Sequence, residues 1–231
     1  MPEKIQEICQ LYKQAIARAE QGELTFSVDE MTGIQALERR MPDIPMKPGR
    51  CTQVEFEYIR HGTQTLIASF NVATGEVDLA TVGPTRTEAD FEAHIRQLLA
   101  QCPQAPKVHL VMDCLNTHQS ASLVRLAAQL ESQAIDLGVK GRSGILRSMA
   151  TRAAFLSVPN HRLVVHFTPK HCSWLNQIEL WFSILVRKLL RRSSFTSPAH
   201  LKQKIIELIY YFNRTMAKPF KWNYTGKPLI S

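Results

Sequence analysis

Three carboxylates stand where an α/β protein would place chemistry. Asp29 follows the apolar run LTFSV, Asp113 ends the run VHLVM, and Glu179 falls in the first turns of the helix expected after LVVHF. Open α/β sheets carry functional groups at strand ends and in the first turns of the helices that follow. If the first and fourth strands are neighbours, Asp29 and Asp113 converge and the following helix swings Glu179 over the same point. Glu179 also needs company, because it lies among Trp174, Leu175, Ile178, Trp181 and Phe182, and an unpaired carboxylate on an apolar surface is costly. Three acids at short range are stable when protonated or when a cation sits between them. Hard oxygen donors select Mg²⁺ or Mn²⁺ over zinc. Two such ions about 3.5–4 Å apart activate a water or a 3′-hydroxyl and stabilise the leaving oxygen of an in-line phosphoryl transfer. Taken singly, each acid has a plainer reading: a strand-end Asp is ordinarily a loop residue or cap, and Glu179 can pair with a nearby Lys or Arg.

The charge pattern supplies a substrate for that chemistry. Residues 1–139 hold 12 Lys and Arg against 18 Asp and Glu, whereas residues 140–231 hold 16 against only Glu179 and Glu207. A 92-residue stretch so poor in acids points to a polyanion, and nucleic acid is the commonest one. Lys140, Arg142, Arg147, Lys170, Arg187, Lys188, Arg191 and Arg192 are the candidate phosphate contacts. The five cysteines are scattered without a C-x-x-C pair, which favours a reducing cytosol over a disulfide framework. His166, His171 and Cys172 do not have the spacing of a standard zinc site. No apolar run is long enough for a membrane span, and MPEKIQEICQLYK lacks a signal-peptide core. A cytoplasmic, nucleoid-associated protein with no membrane partner is therefore expected.

The elements that must position these residues follow from periodicity. Residues 3–20 repeat apolar positions at helical spacing, and residues 39–51, with three prolines and a glycine, read as a loop. EFEYIRHG, TQTLIASFNVATG and EVDLATVG read as strands of an antiparallel meander, broken at His61-Gly62 and at Ala73-Thr74-Gly75. A helix capped by Thr87, the strand KVHLVMD, a helix in QSASLVRLAAQLESQ, a short helix in MATRAAFLSV and the strand LVVHFTP come next. Ser173 is placed to cap the helix that carries Glu179, and PAHLKQKIIELIYYFN forms the last helix. This order predicts an α/β fold: a mixed sheet of three antiparallel strands and then parallel ones, with helices on both faces, in a ribonuclease H-like layout.

Four further residues bear on the acids. Glu30 points to the opposite side of an extended strand from Asp29. Asn116 and His118 either contact metal-bound water or phosphate, or order the loop after Asp113. Asn176 shares a helical face with Glu179 and is expected to orient that carboxylate or to touch DNA. Trp174 and Trp181 read as core rather than base-stacking residues, and His166 as a packed strand residue.

Three blocks, VDE (28–30), VMDCLNTHQS (111–120) and HFTPKHCSWLNQIELWFSIL (166–185), resemble those of DDE transposases of the insertion-sequence-630 and mariner type. The likeness extends to RHGTQTLIASFNVATGEV (60–77) and FNRTMAKPFKW (212–222). It implies a ribonuclease H-like domain that cuts transposon ends and joins them to double-stranded DNA at TA dinucleotides. It also implies Asp29, Asp113 and Glu179 as ligands of Mg²⁺ or Mn²⁺, and a homodimer that synapses two ends. Alternatives that share the acids are a ribonuclease H-type or structure-selective nuclease and a non-catalytic DNA-binding remnant of a decayed element. The family carries an N-terminal helix-turn-helix region, whereas here residues 1–23 form one helix before the first block. The chain then reads as the catalytic part, a truncated copy or one product of a split frame whose separate helix-turn-helix chain recognises the ends. Residues 1–23 are then the remnant of, or the linker from, a DNA-binding region, 24–215 the catalytic domain and 216–231 a basic tail. Between Asp113 and Glu179 lie 65 residues, more than is usual in the family, and a basic insertion at about 131–158 accounts for the excess. Cys114 stands where the family often has Asn.

Overall fold

The computed structural model describes residues 2–131, 134–191 and 193–224. Its elements are α1 (Pro2–Glu20), β1 (Leu24–Arg39), β2 (Tyr58–Asn71), β3 (Val77–Gly83), α2 (Glu88–Gln101), β4 (Val108–Met112), α3 (Ala121–Gln129), α4 (Met149–Leu156), β5 (Leu163–Phe167), α5 (Ile178–Leu185) and α6 (Pro198–Thr215). Five strands form one sheet in the order β3-β2-β1-β4-β5. The pairs β3–β2 and β2–β1 are antiparallel, and β1–β4 and β4–β5 are parallel. This is the expected ribonuclease H-like α/β arrangement. Because the parallel strands are covered on both faces they are apolar at nearly every position. Phe26, Val28, Leu110, Met112 and Val165 meet α2, α3 and α4 on one face. Leu66, Ala68 and Phe70 meet α5 and α6 on the other.

The sequence reading errs at β1. Asp29 does not follow the first strand; it lies in its middle, since β1 continues to Arg39. Acidic residues are poor strand formers, so the Asp29-Glu30 pair reads as an end, but both side chains find partners inside the fold. Beyond them, register shifts on either side of Ile34 and Gln35, next to the left-handed Gly33 (φ 65°), carry β1 and β2 past the sheet as a two-stranded ribbon. His61-Gly62 does not break the run either. β2 passes straight through it, with His61 Nε2 paired to Glu38 Oε2 of β1 at 2.6 Å.

The helix starts are mostly conventional. Thr87 and Asp90 form a reciprocal capping box on α2, Ser120 caps α3, Ser148 caps α4, and Ser197 caps α6 with Pro198 in its first turn. The expected Ser173 cap is incorrect. Ser173 opens a separate 3₁₀ turn, Ser173–Leu175, and α5 begins only at Ile178. The helix expected over 119–133 narrows to α3, and Ser132 and Gln133 lie outside the described residues. Within 131–158, Leu146, Phe155 and Leu156 are buried in the main core.

The chain ends are packed onto the sheet. α1 buries Ile8, Leu11, Tyr12 and Ala15 against Val72 and Val111, and the Tyr12 hydroxyl donates to the Leu175 carbonyl at 2.8 Å. Residues 216–224 cross back over the fold. Phe220 stacks on Phe70, Trp222 meets Tyr12 edge-on, and Tyr224 meets Trp174. A Cβ on Gly75 (φ 79°) would run into the Lys218 backbone, so this turn requires glycine. Among the described residues no helix is long and apolar enough to cross a membrane.

His94 tests the packing of β2, β3 and α2. It is buried with Nε2 2.8 Å from Ser69 Oγ and Nδ1 2.8 Å from Thr81 Oγ1, and burial pushes its pKa down to about 3. The folded pKa lies below the unfolded value, so the neutral ring's contribution is fully present above about pH 6.5 and is lost as pH falls toward 3. Between pH 6.5 and 4.5 the wild type is expected to lose about 2–3 kcal/mol from this group, at ~1.4 kcal/mol per unit. Urea unfolding should show His94→Gln less stable at pH 7 but with a shallower decline in acid.

Candidate active site

Parallel pairing of β1 with β4, in which Ser27 lies opposite Val111, sets Asp29 beside Asp113 one dipeptide further on. Each offers a carboxylate oxygen within a cluster of ligand atoms no more than 4.8 Å apart, and His118 supplies the third member. Asp29 is 7% exposed. Burial drives its pKa up to about 7, against the charge of His118 and the Glu30 N–H, while Asp113 and Glu30 push it the same way as burial. Asp113 is half-buried and behaves oppositely. Burial raises its pKa, but the hydrogen bond and charge of His118, the Leu115 N–H and the more distant Arg86 hold it below the usual value. Arg86 carries no motif signal and escapes the sequence reading.

His118 is fixed from both sides. Its Nδ1 lies 2.7 Å from Asp113 Oδ1 and its Nε2 2.8 Å from Glu30 Oε2, with both the His118 and Glu30 side chains fully buried. Phe91 packs on the ring, and Thr117 Oγ1 donates to Glu30 Oε1 at 3.2 Å. Burial alone would lower the pKa of His118, but the two carboxylates raise it to about 10. The ring is an imidazolium donating from both nitrogens, with no lone pair to offer a cation. It holds Asp113 instead, leaving Oδ2 without a hydrogen bond among the described residues while Oδ1 also accepts from Leu115 N at 2.9 Å. Glu30 faces away from Asp29 as expected, and its partner is this imidazolium.

The expected role of Asn176 is corrected. It is completely buried and holds Asp29, not Glu179: Nδ2 donates to Asp29 Oδ2 at 3.2 Å and to the Val28 carbonyl at 3.0 Å. Burial also rules out contact with DNA. Its Oδ1 accepts from Ser27 Oγ, and that hydroxyl in turn accepts from the Ile178 N–H at 2.8 Å. The first turn of α5 is therefore capped from β1 in place of a preceding side chain. Glu179, the next residue, is half-buried, and both burial and the charge of Asp113 raise its pKa. Its side chain falls outside the tight cluster of Asp29, Asp113 and His118.

The donor set fits a hard divalent cation. Asp29 is held where its own charge is disfavoured, Asp113 is kept ionised with an unused oxygen, and Glu179 is near enough to Asp113 to feel its charge. The zinc alternative finds no support, since among the described residues His166, His171 and Cys172 belong to no such cluster. Asn116 is exposed next to the site. Lys170 is exposed and near enough to Cys114 to act on its thiol. Lys140 is paired with Glu88 at 3.1 Å, while Arg142, Arg147, Arg187, Lys188 and Arg191 are exposed. Arg192 lies outside the described residues. Trp181 is core as expected, but Trp174 is 48% exposed, so its assignment to the core is incorrect.

Residues 25–202 match the family model of the DDE superfamily endonuclease. No curated protein sequence matches the chain. The fold is similar to that in the crystal structure of the Mos1 mariner paired end complex with Mn, at 13% identity and a TM-score of 0.51, covering 95% of this chain and 57% of that one. It is also similar to the Mos1 Strand Transfer Complex, at 10% identity and a TM-score of 0.53, covering 100% of this chain and 64% of that one. The chain thus spans less than two thirds of these relatives. The family model covers most of the sequence and includes all three acids, so the chain belongs to the DDE superfamily endonuclease family.

Proposed function

We propose that the chain is the catalytic part of a transposase that cuts transposon ends and joins them to double-stranded target DNA at TA dinucleotides. Asp29, Asp113 and Glu179 would hold two Mg²⁺ or Mn²⁺ ions, which supply Lewis-acid activation of the attacking and leaving oxygens. The observation that carries the reading is the pairing of buried Asp29 with half-buried Asp113, the one held by Asn176 and the other by His118. The Mos1 relatives of the same fold include a paired end complex with Mn and a strand transfer complex, which supports DNA and a divalent ion as partners. The chain's own residues have distinct tasks. Asn176 orients Asp29, His118 orients Asp113, and α5 brings Glu179 to the open side, where water or a 3′-hydroxyl approaches. The active assembly is read as a homodimer in the cytoplasm at the nucleoid, with a helix-turn-helix chain supplying end recognition. On this reading residues 1–23 are the remnant of, or the linker from, a DNA-binding region, 24–215 are catalytic and 216–231 are a basic tail.

Mn²⁺ should raise the thermal midpoint of the wild type by mass action. Asp29→Asn, Asp113→Asn and Glu179→Gln should each weaken that rise and reduce Mn²⁺-dependent nicking of duplex DNA to background. Three variants that nick normally would sink the assignment. Faster cutting of an RNA–DNA hybrid than of duplex would transfer it to the ribonuclease H-type reading.

The His118 pair separates stability from positioning. His118→Leu alone leaves Glu30 buried and unpaired, and should cost about 3–5 kcal/mol in urea unfolding. The double variant Glu30→Met/His118→Leu removes both charges and should recover most of that loss. Mn²⁺ affinity by calorimetry should nonetheless stay about 10–100-fold weaker in the double variant, because Asp113 has lost its orienting partner.

A further inference from the structure

Alongside Glu179 the surface continues as a groove over α5 and the π-helical turn Val186–Leu190 that extends it. Met31, Phe182 and Val186 line the groove between Glu179 and the two guanidinium groups of Arg187 and Arg191. Phe182 is buried, Met31 and Val186 are half-buried, and both arginines are exposed. Among the described residues, no carboxylate lies within salt-bridge distance of either arginine. Arg187 Nε donates only to the Ser183 carbonyl of its own helix, at 3.2 Å.

Glu179, Ser183, Arg187 and Arg191 follow one another at intervals of four and all line this groove. In an uninterrupted α-helix each such step turns about 40° further, so the fourth side chain would sit about 120° from the first. The wider π turn, closed by the Arg191 N–H donating to the Val186 carbonyl at 3.0 Å, offsets that drift. The interruption in the helix thus keeps one acid and two cations on a common track.

We propose that this groove takes the sugar-phosphate backbone of one DNA strand leading away from the phosphate under attack, with Arg187 and Arg191 each holding one phosphate. The proposal rests on the DNA-cleaving reading above and adds a path and a register to it. At a rise of 1.5 Å per residue, Arg187 lies about 12 Å and Arg191 about 18 Å along the axis from Glu179. Consecutive phosphates of one strand are roughly 6–7 Å apart through space, the 3.4 Å rise being only the axial component, so those distances are about two and about three phosphates from the scissile one. The apolar stretch between acid and cations suits the deoxyribose edge, which needs no hydrogen-bonding partner, while guanidinium forks suit the phosphates.

The test is the salt dependence of binding of the full chain to a short fluorescein-labelled duplex, read by anisotropy without divalent metal. Each phosphate contact contributes about −0.9 to the slope of log K against log salt. Arg187→Ala and Arg191→Ala should each make the slope shallower by about one and the double variant by about two, with Arg→Lys at either position retaining it. Arg96→Ala, which removes a cation paired with Glu92 on α2, should leave the slope unchanged. Calorimetric Mn²⁺ affinity of the double variant should equal that of the wild type. Unchanged slopes in the double variant, or an equal loss from Arg96→Ala, would overturn the groove even where Mn²⁺-dependent nicking stands. Slope losses at Arg187 and Arg191 in a wild type that never nicks duplex would instead keep the groove and remove the transposase reading.

Discussion

One buried amide sets the geometry on which the site depends. Asn176 donates to the Val28 carbonyl and to Asp29, and accepts from Ser27, whose hydroxyl takes the Ile178 N–H. The same few atoms therefore fix the Asp29 carboxylate and the starting point of α5, one residue before Glu179. A helix start sheathed in protein leaves its first N–H groups without water, and each one unpaired costs about 1–3 kcal/mol. Supplying the cap from the strand that carries the acid makes helix placement and acid placement one constraint. A shift of α5 breaks hydrogen bonds at Asp29, and a shift of β1 uncaps α5.

The site is also electrically asymmetric before any ion arrives. Asn176 is neutral and Asp29 is buried beside other acids, so its charge is disfavoured; Asp113 leans on an imidazolium and stays ionised. Two carboxylates in such different states avoid the mutual repulsion of an ionised pair, which lets the apo fold persist with its acids assembled. A divalent cation held here would be met by one carboxylate already charged and by a second whose charge burial disfavours.

Much of this was legible in the sequence, and the failures have physical causes. The order of strands and helices along the chain followed from the alternation of apolar runs and helical periods. The pairing of the first strand with the fourth, on which the convergence of residues 29 and 113 depends, entered only as a condition. The extent of β1 did not, because Asp29-Glu30 reads as a strand breaker unless the partners buried with it are known. Those partners, Asn176 and His118, lie 147 and 88 residues away in sequence from Asp29 and Glu30. Helical spacing tied Asn176 to Glu179, but the residue precedes α5 in an extended conformation, so the helical-face argument did not apply. Ser173 has the composition of a cap and the wrong position, while the true cap, Ser27, sits on a strand where no local rule looks for one. The groove along α5 was visible only as basic residues; their common alignment depends on a π turn with no sequence signature.

The packing of the two chain ends bears on how the protein is made. α1 is made before every strand of the sheet, yet its buried side meets Val111, Leu175 and Trp222. At 5–20 residues per second, Trp222 is synthesised roughly 10–40 s after Tyr12. During that interval Val72 and Val111 become available to α1, but Tyr12 lacks the indole of Trp222. The nascent chain must therefore carry the apolar side of α1 without its aromatic cover until residues 216–224 have been made.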